Sequence, residues 1–278
     1  LFRNVAIFFM EIFIFLSLNI SDCFKRKRNY IIKNTANFLV HKDIVKHILG
    51  YFSLQLMINS IKSILDKFDY KVNDEDKHLS EFFEENGYCI IPKSEFVNEN
   101  LDELQKIIDE LLEKESWRGG WEGKEEYIKY KKDFQVGAYR LGNLFNKHNL
   151  FRKLLTEENI LKICYGILKD DIKIGALDMR EPKKSKGFQD FHIDWLPKKN
   201  SNDPIQNIVC FVFLDDASKE NGSLRVVPKS QKKTGWVNEH LSDASSHPDE
   251  ILLEVKKSSI VLMNANLWHG GTTNLSGK

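Results

Sequence analysis

A change of apolar periodicity along the chain most constrains its fold. Between residues 79 and 168 apolar residues recur mainly at helical spacing. From about residue 172 onward they fall into short runs separated by turn signals. The spacing predicts a short helix from Leu79, a helix over 97–115 (Val97, Leu101, Leu104, Ile107, Ile108, Leu111, Leu112) and another over 150–168. Strands are expected at 88–91, 134–141, 172–180, 188–194, 206–214, 223–227 and 258–264. Pro92, Asn86-Gly87, Asp215-Asp216 and Asn221-Gly222 serve as stops and turns. Helices first and many short strands later imply an α+β domain with a sandwich or barrel at its heart.

Upstream, residues 5–20 form an apolar run interrupted by Glu11 and Asn19 and followed by Lys25-Arg26-Lys27-Arg28. It falls short of the roughly 20 residues of a spanning helix and has neither the charge order nor the cleavage site of a signal peptide. Residues 1–28 are therefore expected to supply a packing helix or a membrane anchor, with membrane contact through residues 5–20. Residues 29–78 read as a helical segment, with Gly50 as a break, ending in a polar linker at 71–78. Residues 79–278 form the main domain.

Net charge is +1, so neither nucleic acid nor an anionic membrane is implied as a partner by overall charge. Cys23, Cys89, Cys164 and Cys210 are far apart and form no C-x-x-C pair. They suit neither a zinc site nor a disulfide scaffold, and fit a reducing, cytoplasmic or other intracellular setting. Cys89 and Cys210 sit in apolar runs and read as buried small hydrophobes.

The chemistry centres on Phe191-His192-Ile193-Asp194-Trp195. On a strand, residues i and i+2 share a face, so His192 and Asp194 would project side by side. An imidazole and a carboxylate make two thirds of the 2-His-1-carboxylate set that holds iron(II) with open positions. His269 is the candidate third ligand. It follows the apolar strand 259–263 and precedes Gly270-Gly271, which permit close backbone approach. Trp195 and Trp268 flank the ligands and read as packing residues; Gln189 and Asp190 read as supporting partners or strand-end polar residues. Arg225 and Lys229 are assigned to scaffold, and the other histidines to structural or exposed positions.

The stretches ENGYCIIP (85–92), FHIDW (191–195), FVFLDDASKENGSLRVVPKSQ (211–231) and NANLWHGGTTNLSGK (264–278) resemble the phytanoyl-CoA dioxygenase family in order and spacing. The resemblance spans residues 79–278. It implies a double-stranded β-helix (a cupin-like jelly roll), iron(II) held by His192, Asp194 and His269, and 2-oxoglutarate as co-substrate with O2. The implied activity is that of a dioxygenase hydroxylating a small-molecule substrate while 2-oxoglutarate is decarboxylated to succinate and CO2. Asp194 favours hydroxylation over halogenation, because related halogenases lack that carboxylate.

The sequence departs from the family at Lys229 and Gln231, where Gly and His are common. The family's basic anchor for the far carboxylate of 2-oxoglutarate falls about eleven positions past the distal histidine, beyond Lys278. The chain is therefore expected to be a fragment truncated at its C-terminal end. Thr272 and Thr273 are candidate substitutes for a hydroxyl residue that Gly271 replaces, with Arg140 or Lys278 as further co-substrate candidates. Two other classes fit the residues: a catalytically silent jelly-roll scaffold, and a cupin-type metalloenzyme that does not use 2-oxoglutarate. Substrate specificity is expected in the loops 117–135 and 196–206.

Overall fold

The computed structural model describes residues 6–8, 12–13, 61–115, 137–168 and 172–276. Its strands are β1 (Ala6–Phe8), β2 (Ile12–Phe13), β3 (Tyr88–Ile91), β4 (Ala138–Leu141), β5 (Lys173–Ile174), β6 (Asp178–Pro182), β7 (Asn207–Phe213), β8 (Leu224–Val226), β9 (Ile251–Leu253), β10 (Ile260–Asn264) and β11 (His269–Gly271). The helices are α1 (Ile61–Lys67), α2 (Asp74–Asn86), α3 (Glu95–Glu99), α4 (Leu101–Glu115), α5 (Asn149–Leu154) and α6 (Glu158–Leu168).

Two sheets form the core. The larger runs β3-β10-β7-β1-β6-β4, with β2 pairing to β5 and β7; the smaller runs β11-β8-β9. All these pairings are antiparallel. Strand β7 shows how the layers are arranged, because every one of its residues is buried. Ile208, Cys210 and Val212 join a core with the helices, alongside Phe83, Leu104, Ile108, Phe151 and Ile163. Val209, Phe211 and Phe213 turn to the other side and pack with Leu224, Val226 and Leu253 of the smaller sheet. The continuous apolar run 208–214 thus follows from burial on both faces, with side chains alternating between two cores. Cys89, Cys164 and Cys210 lie unbonded in the helix-side core. Burial pushes the Cys89 thiol up to about 12 and raises the other two, so these are inert packing groups. Cys23 lies outside the described residues.

Several expectations are corrected. Of the polar stretch 71–78, expected as a linker, residues 74–78 form the start of α2 and Asn73 is its N-cap. Asn73 accepts from the Asp76 backbone N–H at 2.9 Å, and the Asp76 carboxylate accepts from Asn73 N–H at 2.9 Å. This capping box, with three acidic residues in the first turn, makes a polar run a helix start. Ile61 and Leu65 of α1 pack in the same helix-side core as Phe83 of α2. Ala6–Phe8 and Ile12–Phe13 are strands rather than parts of a helix, in keeping with their aromatic and β-branched residues. Among the described residues no helix is long and apolar enough to cross a membrane. Helix 97–115 divides at Asn100 and helix 150–168 at 155–157, while β9 was not anticipated. The 40–60 segment, loop 117–135 and Lys278 lie outside the described residues.

Candidate metal centre

The run 188–194 is not a regular strand, which corrects the expected 188–194 element. It nevertheless lies against β11 and the turn before it. Gln189 N–H donates to Gly271 O at 2.9 Å, and His192 and His269 exchange backbone bonds at 3.0 and 3.1 Å. Asp194 N–H donates to Ala265 O at 2.8 Å. These pairings do not keep one register, so only an isolated bridge forms at His192 and His269. The glycines after His269 explain how the two backbones approach so closely. A β-carbon on Gly270 would stand 2.6 Å from Gln189 O, and one on Gly271 would stand 2.9 Å from Gly187 O. Neither has positive φ, so close approach rather than unusual backbone angles requires them.

This irregular crossing brings the three expected ligands together. His192, Asp194 and His269 each offer one donor atom, all within 4.8 Å of one another. His269 Nε2 stands 3.2 Å from Asp194 Oδ2 and His192 Nε2 stands 3.6 Å from Oδ1. The imidazole centroids are 4.3 Å apart. Each ring is turned by the same local device. His192 Nδ1 donates to Asp190 O at 2.8 Å, and His269 Nδ1 donates to Leu267 O at 2.9 Å, in both cases the carbonyl two residues earlier. A carbonyl only accepts, so both protons belong on Nδ1 and both Nε2 lone pairs face Asp194.

Lone pairs on two rings and a carboxylate converging on one point repel unless a cation lies between them. Asp194 Oδ2 is buried and without a hydrogen-bond partner. Donors that share one ion at about 2 Å stand roughly 3–4 Å apart, so the spacing, donor types and orphaned oxygen fit a divalent metal. Access is graded: the His269 side chain is 3% exposed, Asp194 16% and His192 37%, which opens the site on the His192 side. Burial and the neighbouring His269 pull the His192 imidazole down to about 4, which keeps it neutral and able to ligate. A proton on His269 Nε2 can bridge the same gap to Asp194 Oδ2: burial opposes both charges, but their attraction lowers the Asp194 carboxyl and raises the His269 imidazole.

Around the triad the expected packing roles hold. Trp268 is buried with Phe191, Val227 and Val237. His240 and His247 lie against it at 5.4 and 6.0 Å between centroids. Trp195 packs at the edge of the sandwich core and donates from Nε1 to Gln206 Oε1 at 2.9 Å. Gln189 and Asp190 support the site through their backbone carbonyls.

The co-substrate candidates divide. Thr272 donates its hydroxyl hydrogen to Ser223 O at 3.0 Å, which fastens the end of β11. Thr273 is half-buried beside it. Arg140 is buried on β4, in register with Arg180 on β6. Their strand neighbours Leu141 and Met179 belong to the helix-side core, so alternation turns both arginines toward the inter-sheet side. The Arg140 charge helps hold Asp194 down, and that of Arg180 helps depress His192. Arg180 was not anticipated; an arginine following the apolar residues of 172–179 was the available signal.

The fold and the family agree with this geometry. A profile of the phytanoyl-CoA dioxygenase family (PhyH) matches residues 83–278. No curated protein matches the chain. Among solved structures, the chain is similar to the non-heme alpha ketoglutarate dependent carbocyclase SnoK from nogalamycin biosynthesis, with TM-score 0.54 and 18% identity over 79% of this chain and 82% of that one. HygX from Streptomyces hygroscopicus, solved with nickel and 2-oxoglutarate, has TM-score 0.54 and 15% identity, covering 72% and 81%. The epimerase SnoN, solved with Fe3+, alpha ketoglutarate and nogalamycin RO, has TM-score 0.53 and 17% identity, covering 73% and 79%. With more than half its length matched and its three candidate ligands gathered at one point, the chain belongs to the phytanoyl-CoA dioxygenase family.

Proposed function

We propose that the protein is an iron(II)- and 2-oxoglutarate-dependent dioxygenase that hydroxylates a small molecule. The observation that carries this reading is the convergence of His192, Asp194 and His269, with both Nδ1 protons tied to backbone carbonyls and both Nε2 atoms turned to the buried Asp194 carboxylate. Two facing sheets with the triad where 188–194 crosses β11 support reading the core as a double-stranded β-helix. The metal and 2-oxoglutarate bound to HygX and SnoN support the choice of cofactors.

In this reading His192, Asp194 and His269 hold the ion on one side. Iron(II), 2-oxoglutarate and O2 supply the oxidising power, and the chain supplies binding, orientation and shielding. Arg140 and Arg180 provide buried positive charge suited to a carboxylate of the co-substrate. Trp268 and Phe191 keep water from the His269 side. Asp194 occupies the position that a halide would need, which favours hydroxylation over halogenation.

A carbocyclase and an epimerase among the similar structures favour a second reading, in which the same C–H oxidation ends in ring closure or inversion. Product mass separates the two, since only hydroxylation adds an oxygen atom.

The test is succinate formation from 2-oxoglutarate by the purified chain with iron(II) and oxygen, beside His192→Ala. Succinate that needs all three components and disappears in the variant is the expected result. No succinate from folded, metal-loaded protein with candidate substrates would favour the silent-scaffold reading, and turnover without 2-oxoglutarate the other-metal reading.

A further inference from the structure

Arg225 is a heavily engaged buried charge near the metal centre that the proposed chemistry does not use. Its strand neighbours Leu224 and Val226 point into the sandwich, so alternation places Arg225 on the opposite side of β8. There the residue is 2% exposed. Nη2 donates to Gln189 O at 2.7 Å; Nη1 donates to Ser245 O at 2.6 Å and to Glu250 Oε2 at 3.2 Å. The guanidinium also lies over the rings of Phe191 and Phe188, 4.1 and 4.6 Å from their centroids. Five groups from two separate segments thus meet one planar cation.

The two segments are the run that carries His192 and the loop between β8 and β9. Phe191 N–H donates to Ala244 O at 2.8 Å, a second tie between them. Glu250 Oε2 also accepts from His247 N–H at 2.9 Å, which fixes the loop side of the contact. On the other side, the Gln189 carbonyl is the atom that a β-carbon on Gly270 would strike at 2.6 Å. That carbonyl is therefore held between β11 and Arg225. One residue further, the Asp190 carbonyl orients the His192 ring. A shift of the 188–191 backbone would carry this acceptor, and the imidazole, away from Asp194 and His269.

We infer that Arg225 is a positioning residue for the metal centre, clamping the 188–191 backbone to the 244–250 loop so that His192 stays aligned with Asp194 and His269. This rests on the metal-centre reading above. The guanidinium is suited to the task because one rigid plane stacks on two rings while donating in two directions; a lysine head group cannot do both.

The test is a cobalt(II) titration of the full chain, followed by the visible d–d band, for wild type, Arg225→Lys, Arg225→Met and Glu250→Gln, with near-UV circular dichroism and a thermal melt for each. The clamp predicts that both Arg225 variants keep a cooperative melt while cobalt affinity falls about 10- to 100-fold and the band changes shape. Glu250→Gln keeps an acceptor and should lose less than either. Folded Arg225→Lys and Arg225→Met proteins with wild-type affinity and spectrum would overturn the clamp while leaving the metal centre intact. Wild type that binds no cobalt would overturn both. Should the Arg225 variants not fold, Phe188→Leu and Glu250→Gln decide, and unchanged cobalt affinity in both would overturn the inference.

Discussion

Strand β10 and the run 188–194 are both central, and both bond to neighbours, yet only the first is regular. Each residue of β10 pairs in one unbroken register with β7, and all five are buried. The run 188–194 changes register against the 265–271 backbone and leaves the His192 side open. The two regions are held by different kinds of contact. A strand covered on both faces is held by packing, which tolerates no slip. The metal run is held by a few directed contacts, including two backbone carbonyls that turn two rings, two glycines and one arginine. Stability is concentrated in the first region and chemistry in the second, so changes in each should separate.

Asp194→Ala probes the second region most sharply. It removes the shared carboxylate, so metal affinity should fall by more than the roughly 100-fold expected for loss of a supporting contact. Stability of the apo chain, followed by urea unfolding, should hold within about 1 kcal/mol, because relief of a buried carboxylate's desolvation offsets its lost attraction to His269, whose ring can then shed its extra proton. A large loss of stability would mean that the two regions are not separable. Phe211→Ala is the converse. It empties a fully buried site between the sheets and should cost about 3–5 kcal/mol in the same urea experiment. Whatever protein remains folded should bind metal normally.

Gly270→Ala tests the crossing itself. The added carbon meets Gln189 O at 2.6 Å, a backbone atom that can move only by shifting the 188–191 run. A cost of about 1–3 kcal/mol should accompany a clear fall in cobalt affinity, and an unaffected centre would contradict the importance of close approach. The smallest effect belongs to Asn73→Ala. It removes the side-chain acceptor that caps α2, and thermal melts should report about 1 kcal/mol with no change in metal binding.

Legibility in the sequence follows the same division. The regular strands were readable because burial on one or both faces leaves a repeating apolar mark, as at 88–91, 206–214 and 258–264. His192, Asp194 and His269 were legible as residue types in a family pattern, but the backbone that unites them was not. Nothing in residues 188–194 announces that pairing slips there, because the cause is the glycine pair some eighty positions later. Arg225 was dismissed as scaffold for a related reason. An arginine in a strand does not disclose that Gln189, Ser245 and Glu250 converge on it from distant positions. The Asn73 cap was missed in the opposite way: its signal is local, but a run of polar residues also reads as a linker.

The central claim is that His192, Asp194 and His269 share one divalent metal. Metal stoichiometry measures this most directly: anaerobic equilibrium dialysis against iron(II), with metal analysis of wild type, His192→Ala, Asp194→Ala and His269→Ala. One equivalent in the wild type, and little in any of the three folded variants, is the predicted result. A wild type that takes up no iron, or three variants that retain a full equivalent, would contradict it.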